Sequence, residues 1–232
     1  MPSLILILLP LFGTSLGAAT ILFRQHSLLR PLALNGFAAG VMTAASVWSL
    51  LLPAIERSQH LGIFSFFPAV AGLWLGVLSL NCLENRFRHR EGSMLSFAVA
   101  LHNLPEGMAV GAAISAWHQG DLSWAGCFAL SLGIAIQNLP EGAIISLPLA
   151  TRNRPRFKAL GAGILSGIIE PIGAVFTVLL AELLLPVLPY LLSFSAGAML
   201  FVVVAELITD RRCVLWFTAG FSLMMLLDVA LG

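Results

Sequence analysis

Charge is what this sequence has least of. Asp, Glu, Lys and Arg make up 10% of its 232 residues, against roughly 25% in a soluble globular domain. A large core does not explain so wide a shortfall, because a soluble surface must be polar somewhere. Hydrophobic residues take up the difference, at 59%. Cysteine is scarce as well: Cys82, Cys127 and Cys213 stand far apart, with no CxxC between them. That argues against a disulfide framework or a thiolate zinc site and leaves all three as small packing residues. No basic residue precedes the opening apolar run, MPSLILILLPLFG. A secretory leader normally carries a positive first region, so this run reads as a first membrane helix kept in the mature protein. The net charge of +1 gives no sign of a nucleic-acid or acidic partner. No connection is long enough to fold by itself, and low-complexity tracts are lacking.

What the sequence does have is apolar runs of the ~18–25 residues that cross a bilayer as helix. Set against their polar interruptions, they give eight spans: 4–23, 32–55, 65–84, 93–115, 123–149, 158–183, 187–208 and 213–231. The least marked boundary lies between the sixth and seventh, where Leu185-Pro186 to Pro189 make the connection and Glu182 is the nearest charge. The expected fold is an all-α integral membrane protein, one transmembrane domain over residues 1–232.

The basic residues test that map. Arg24 and Arg30 fall between spans one and two, and Arg86, Arg88 and Arg90 between three and four. Arg152, Arg154, Arg156 and Lys158 fall between five and six, and Arg211 and Arg212 between seven and eight. Arg57 alone lies in an even-numbered connection. The positive-inside rule places the odd connections in the cytoplasm, and an even number of spans then puts both termini outside. Trp117 and Trp124 flank the fourth connection and read as interfacial anchors.

A charged group at mid-membrane costs roughly 2.5–3.5 kcal/mol on insertion scales, so each one needs a reason. Glu106, Glu141, Glu170 and Glu206 all fall inside or near the ends of apolar spans. Two of them share a context. His102-Asn103-Leu104-Pro105-Glu106-Gly107 recurs, one span later, as Gln137-Asn138-Leu139-Pro140-Glu141-Gly142. Residues three and four apart share a helix face. His102 and Asn103 therefore stand beside Glu106, and Gln137 and Asn138 beside Glu141. Two such helices face to face would surround a cation with imidazole, amide and carboxylate groups, which suit zinc and other first-row divalent metals. Apart from Lys158 at the edge of the sixth, no Lys or Arg lies within these spans to pair with the acids, so the counter-charge is protons or bound cations. Pro105 and Pro140 remove the hydrogen bonds that would reach Leu101 and Ile136. A kink is expected there, with backbone carbonyls open to an ion. Glu170-Pro171 repeats the theme in span six, where Glu170 is positioned to complete the site.

Other polar residues carry less. Asn35, Ser46, Ser49 and Asn81 read as inter-helix hydrogen-bonding groups. His26, His60, His89 and His118 read as solvated residues of connections. Glu206 fits a pathway residue and an interfacial one equally.

In these residues the chain resembles the ZIP (Zrt/Irt-like) family of divalent-metal transporters, in its compact prokaryotic form. HNLPEGMAVG resembles the signature of that family's fourth helix and QNLPEGAIISLPL that of its fifth. FAAGVMTAASVWSLLLPAIE, SGIIEPIGA and SAGAMLFVVVAELI resemble its second, sixth and seventh. The resemblance implies a 3+2+3 arrangement, with helices 1–3 and 6–8 as an inverted repeat around the fourth and fifth. It also implies a binuclear site: one metal on His102, Glu106, Gln137 and Glu141, and a second on Asn103, Glu106, Asn138, Glu141 and Glu170. The implied activity is import of zinc, and of other divalent metals such as iron, manganese or cadmium, by alternating access. The resemblance also implies that a homodimer is often the working unit, and the short connections suggest a prokaryotic inner membrane. Gln137 stands where many members have a histidine, and Asn138 where some have an acid. The first change favours broad divalent-metal transport over zinc alone, and the second lowers the charge of the second site. A passive channel would use the same site. An intramembrane metal hydrolase is the reading from another class, but HNLPE puts Asn103 where HExxH has its general base.

Overall fold

A chain crossing lipid must satisfy its backbone hydrogen bonds within itself, and a helix does so without partners. The apolar segments are accordingly helical. A computed structural model describes residues 2–23, 31–87, 93–120, 122–151, 155–208 and 210–231. Among the described residues there is no β-strand. The helices are α1 (Pro2–Ala19), α2 (Pro31–Ala45), α3 (Leu52–Arg57), α4 (Phe66–Phe87), α5 (Ser93–Gln119) and α6 (Trp124–Thr151). They continue with α7 (Arg156–Gly167), α8 (Ile169–Leu179), α9 (Ala181–Leu184), α10 (Leu188–Val202) and α11 (Val214–Leu231).

Among the described residues, seven helical runs are long and apolar enough to cross a membrane. They are Pro2–Leu22, Leu32–Arg57, Phe66–Arg86, Trp124–Leu147, Arg156–Leu179, Ala181–Leu207 and Arg211–Ala230, and they match seven of the eight expected spans. The remaining span, 93–115, falls on α5, a helix of 27 residues. The outward faces agree with a lipid setting. Phe67, Trp74 and Leu75 of α4 are each more than half exposed, as are Leu215 and Val229 of α11. Apolar surface so extensive is foreign to a soluble monomer. Arg24, Arg30, Arg88, Arg90, Arg152, Arg154, His26 and His89 lie outside the described residues.

α5 and α6 run unbroken through Pro105 and Pro140. The interruptions fall elsewhere. Pro53 has no N–H to offer the carbonyl four residues back, and a π turn, Ser46–Leu51, joins α2 to α3 around that gap. A second π turn, Val203–Leu207, ends α10 with a hydrogen bond from Ile208 N to Val203 O of 3.0 Å. Pro171 likewise leaves the carbonyl of Gly167 unmatched, and α7 hands over to α8 at Ile168. The turn between the sixth and seventh spans starts at Leu180, with φ −118° and ψ 34°, earlier than expected. A run of leucines carries no punctuation from which that position could be read.

Cys127 and Cys213 are buried as small hydrophobes, whereas Cys82 is exposed on α4, and all three are free thiols. Four helix pairs dominate the packing: α1 with α6, α5 with α8, α4 with α10 and α2 with α11. The long central helices α5 and α6 thus each carry a flanking helix on their polar face. The larger core cluster is built of small and flexible residues, among them Ala39, Met42, Met108, Ala196 and Met199.

Candidate metal centre

The polar half-turns of α5 and α6 meet inside the protein. Asn103, Glu106, Gln137 and Asn138 are fully buried, and Glu141 is 1% exposed. Glu170 joins them, fully buried, from the first turn of α8. Its placement follows from the Pro171 interruption, because a helix that restarts at Ile169 presents an acid at its positive end. The three glutamates lie within Coulombic reach of one another. The side chain of His102 is outside the described residues, although its backbone belongs to α5.

Glu170 organises the asparagines. Its Oε1 accepts from Asn103 Nδ2 at 3.0 Å and from Thr14 Oγ1 at 3.4 Å, and its Oε2 accepts from Asn138 Nδ2 at 2.7 Å. The second amide hydrogen of each asparagine goes to backbone. Asn103 Nδ2 donates to Ser166 O at 3.3 Å and Asn138 Nδ2 to Pro10 O at 3.4 Å. With both amide nitrogens committed, Oδ1 of each asparagine is left buried without a hydrogen-bond partner among the described residues, as are both carboxylate oxygens of Glu106. The amide of Gln137 lies against Glu106 but outside hydrogen-bond geometry. A buried polar atom left unpaired costs about 1–3 kcal/mol, so such a group of oxygens is a place for a cation. Among the described residues, no three His, Cys, Asp or Glu side chains converge as a ready-made cage. The groups here are instead three carboxylate and three amide side chains, a set that suits hard and borderline divalent ions.

The glycines of the two motifs set the depth of the site. The backbone of Glu170 passes directly over Gly107, and that of Thr14 directly over Gly142, so a Cβ at either glycine would overlap a backbone carbonyl. Thr14 and Ser166 were missed by sequence reasoning. Thr14 is a lone hydroxyl in an apolar span, which is unremarkable until the fold brings α1 against α6.

Of the weaker candidates, Ser49 does bond between helices, to Asp228 Oδ1 of α11 at 2.8 Å, while Ser46 bonds within its own helix to Met42 O. Asn81 is exposed, and Glu206 is exposed within the second π turn. His118 belongs to the last turn of α5, where its Nε2 lies 3.3 Å from Ser3 Oγ.

The profile of the ZIP zinc transporter family matches residues 79–228, which takes in both motifs, Glu170, the seventh span and most of the eighth. The chain belongs to the ZIP zinc transporter family. GufA of Myxococcus xanthus, a zinc transporter, is 34% identical over 85% of this chain and 85% of its own length. The zinc transporter ZIPB of Bordetella bronchiseptica is 35% identical over 95% of this chain and 78% of its own. Human zinc transporter ZIP11 is 30% identical over 85% of this chain and 87% of its own. Membership in a transporter family disposes of the hydrolase reading. A ZIP protein is a membrane transporter of divalent metal, and here the buried polar groups lie on the two helices that carry the repeated motifs and on α8.

Proposed function

We propose that this ZIP protein imports zinc and other divalent metals into the cytoplasm by alternating access, through a site between α5 and α6. The observation that carries the proposal is the meeting of the two NLPEG segments. They bring Glu106 and Glu141 together with three amide side chains in a layer that is essentially closed to solvent. His102, Asn103, Glu106, Gln137, Asn138, Glu141 and Glu170 form the ligand set, with Glu106 and Glu141 shared between two ions. The preference is for borderline and hard divalent ions, because one imidazole at most is present.

On this proposal the protein crosses the membrane eight times, α5 included, with both termini outside and the arginine-rich connections in the cytoplasm. An inverted repeat is supported by the packing. Exchanging the first three spans with the last three, and α5 with α6, turns the pair α1–α6 into α5–α8 and the pair α2–α11 into α4–α10, and these are the four dominant pairs. The two π turns also follow matching AGxM segments, Ala39–Met42 and Ala196–Met199. Bacterial relatives support an inner-membrane setting, and the family resemblance supports a homodimer.

Uptake by proteoliposomes tests the reading. Zinc, manganese, iron and cadmium should each enter with saturable kinetics, and a pH gradient would reveal proton coupling. Glu106→Ala should insert and fold yet take up no metal. Zinc uptake at the native rate in that variant would refute the site.

A further inference from the structure

The repeat can be followed to single atoms. Thr14 and Glu170 are separated by 156 residues, and the same interval separates Pro10 from Ser166 and Gly17 from Gly173. Each of these pairs makes matching contacts with the two motifs. Asn103 donates to Ser166 O, and Asn138 to Pro10 O. Gly173 lies under the carbonyl of Leu104, and Gly17 under that of Leu139. Gly107 lies under the carbonyl of Glu170, and Gly142 under that of Thr14. The matches place Thr14 in the first half where Glu170 stands in the second.

We infer that Thr14 is a positioning residue of the metal centre, the first-half counterpart of Glu170, and that its hydroxyl fixes the Glu170 carboxylate for the asparagines and the metal. The inference rests on the site proposed above. Thr14 is fully buried. Its backbone is seated on Gly142, and a Cβ on Gly167 would overlap its Cβ, Oγ1 and Cγ2, so the side chain is held from two sides. Its hydroxyl lies within reach of Pro10 O at 3.3 Å and of Glu170 Oε1 at 3.4 Å. The single hydroxyl proton serves one acceptor at a time, and a carboxylate is the stronger of the two. Asn103 and Asn138 bind the carboxylate from α5 and α6, so Thr14 supplies the hold from α1. The three donors tie four helices to one side chain. The same geometry explains why one acid suffices at this level: a carboxylate at both repeat-related positions would set two like charges against each other without a cation between them.

The test is zinc binding and uptake by the full-length protein, with Thr14→Val removing the hydroxyl at constant shape and Thr14→Ser retaining it. Thr14→Val should weaken zinc binding about tenfold, the order expected for one hydrogen bond to a charged group, and Thr14→Ser should recover most of that loss. In a Glu170→Gln background, Thr14→Val should add less than about twofold, because the hydroxyl acts through the carboxylate. Native affinity in Thr14→Val would overturn the inference, as would an undiminished effect in the Glu170→Gln background. Equal defects in the Val and Ser variants would overturn it too, by pointing to packing. Glu106→Ala, run in parallel, separates the two levels. If it binds zinc normally, the site reading and this inference both fall. If it does not, while Thr14→Val binds normally, this inference falls alone.

Discussion

Gly107 lies so close beneath the backbone carbonyl of Glu170 that no side chain fits between α5 and α8. The glycine that ends the first motif is therefore a spacer that sets how near the third carboxylate comes to the first two. Gly142 has the same relation to the carbonyl of Thr14. An added methyl must push two backbones apart, since neither contact is the far end of a flexible side chain. Gly107→Ala and Gly142→Ala should each cost about 2–3 kcal/mol. Thermal unfolding in detergent should show both melting earlier, with metal uptake reduced more than protein yield.

Gln137 is the place where the two motifs differ most in chemistry, an amide where the other motif has the imidazole of His102. Gln137→His adds a second nitrogen donor of the kind zinc prefers. Competition uptake of zinc against manganese should then shift toward zinc by about tenfold, the value of ~1.4 kcal/mol in binding. An unchanged ratio would show that this side chain does not touch the metal.

Ser49 and Asp228 tie the second span to the last by a hydrogen bond of 2.8 Å. Oδ2 of Asp228 is buried and has no hydrogen-bond partner among the described residues, so Ser49 is its acid's tether. Ser49→Ala should destabilise the α2–α11 pair by about 1–2 kcal/mol. Chemical denaturation in detergent would register this, and Ser49→Thr should restore it.

Asp210 opens the turn before α11. It accepts from Arg212 N at 2.8 Å, Nε at 3.0 Å and Nη2 at 2.7 Å. These bonds, with the side-chain ones foremost, hold its carboxyl below the ordinary carboxylate value. A depressed folded pKa means the turn is favoured above the unfolded value and loses that support as pH falls through the folded one. Protection of the amides of residues 211–213, taken as exchange relative to the intrinsic rate at each pH, should therefore fall at acid pH in the native protein. In Asp210→Ala the protection should be low throughout, with no such dependence on pH.

Much was legible in the sequence because a bilayer leaves few choices. Apolar length demands helix, and a glutamate in lipid demands a partner. These constraints are local, so seven of the eight expected spans reappear as helical runs able to cross, and Asn103, Glu106, Gln137, Asn138, Glu141 and Glu170 all come together in the buried layer. The repeated NLPEG motif announced itself because polar residues in an apolar run are costly wherever they stand. Other features depend on which helix packs on which. Nothing in the strings around Pro105 and Pro140 says that those helices run through their prolines while Pro53 and Pro171 interrupt theirs. The surrounding packing decides whether a missing hydrogen bond is absorbed or opens a turn. Thr14 is the clearest case. By itself it is one hydroxyl among many, and it acquires a role only when α1 lies across α6 and Gly142 lets the backbones touch. The sequence determined that acids and amides would be buried in a membrane. The tertiary structure alone decided that a hydroxyl from the first helix would hold the third acid, because that contact spans 156 residues of chain and no local pattern encodes it.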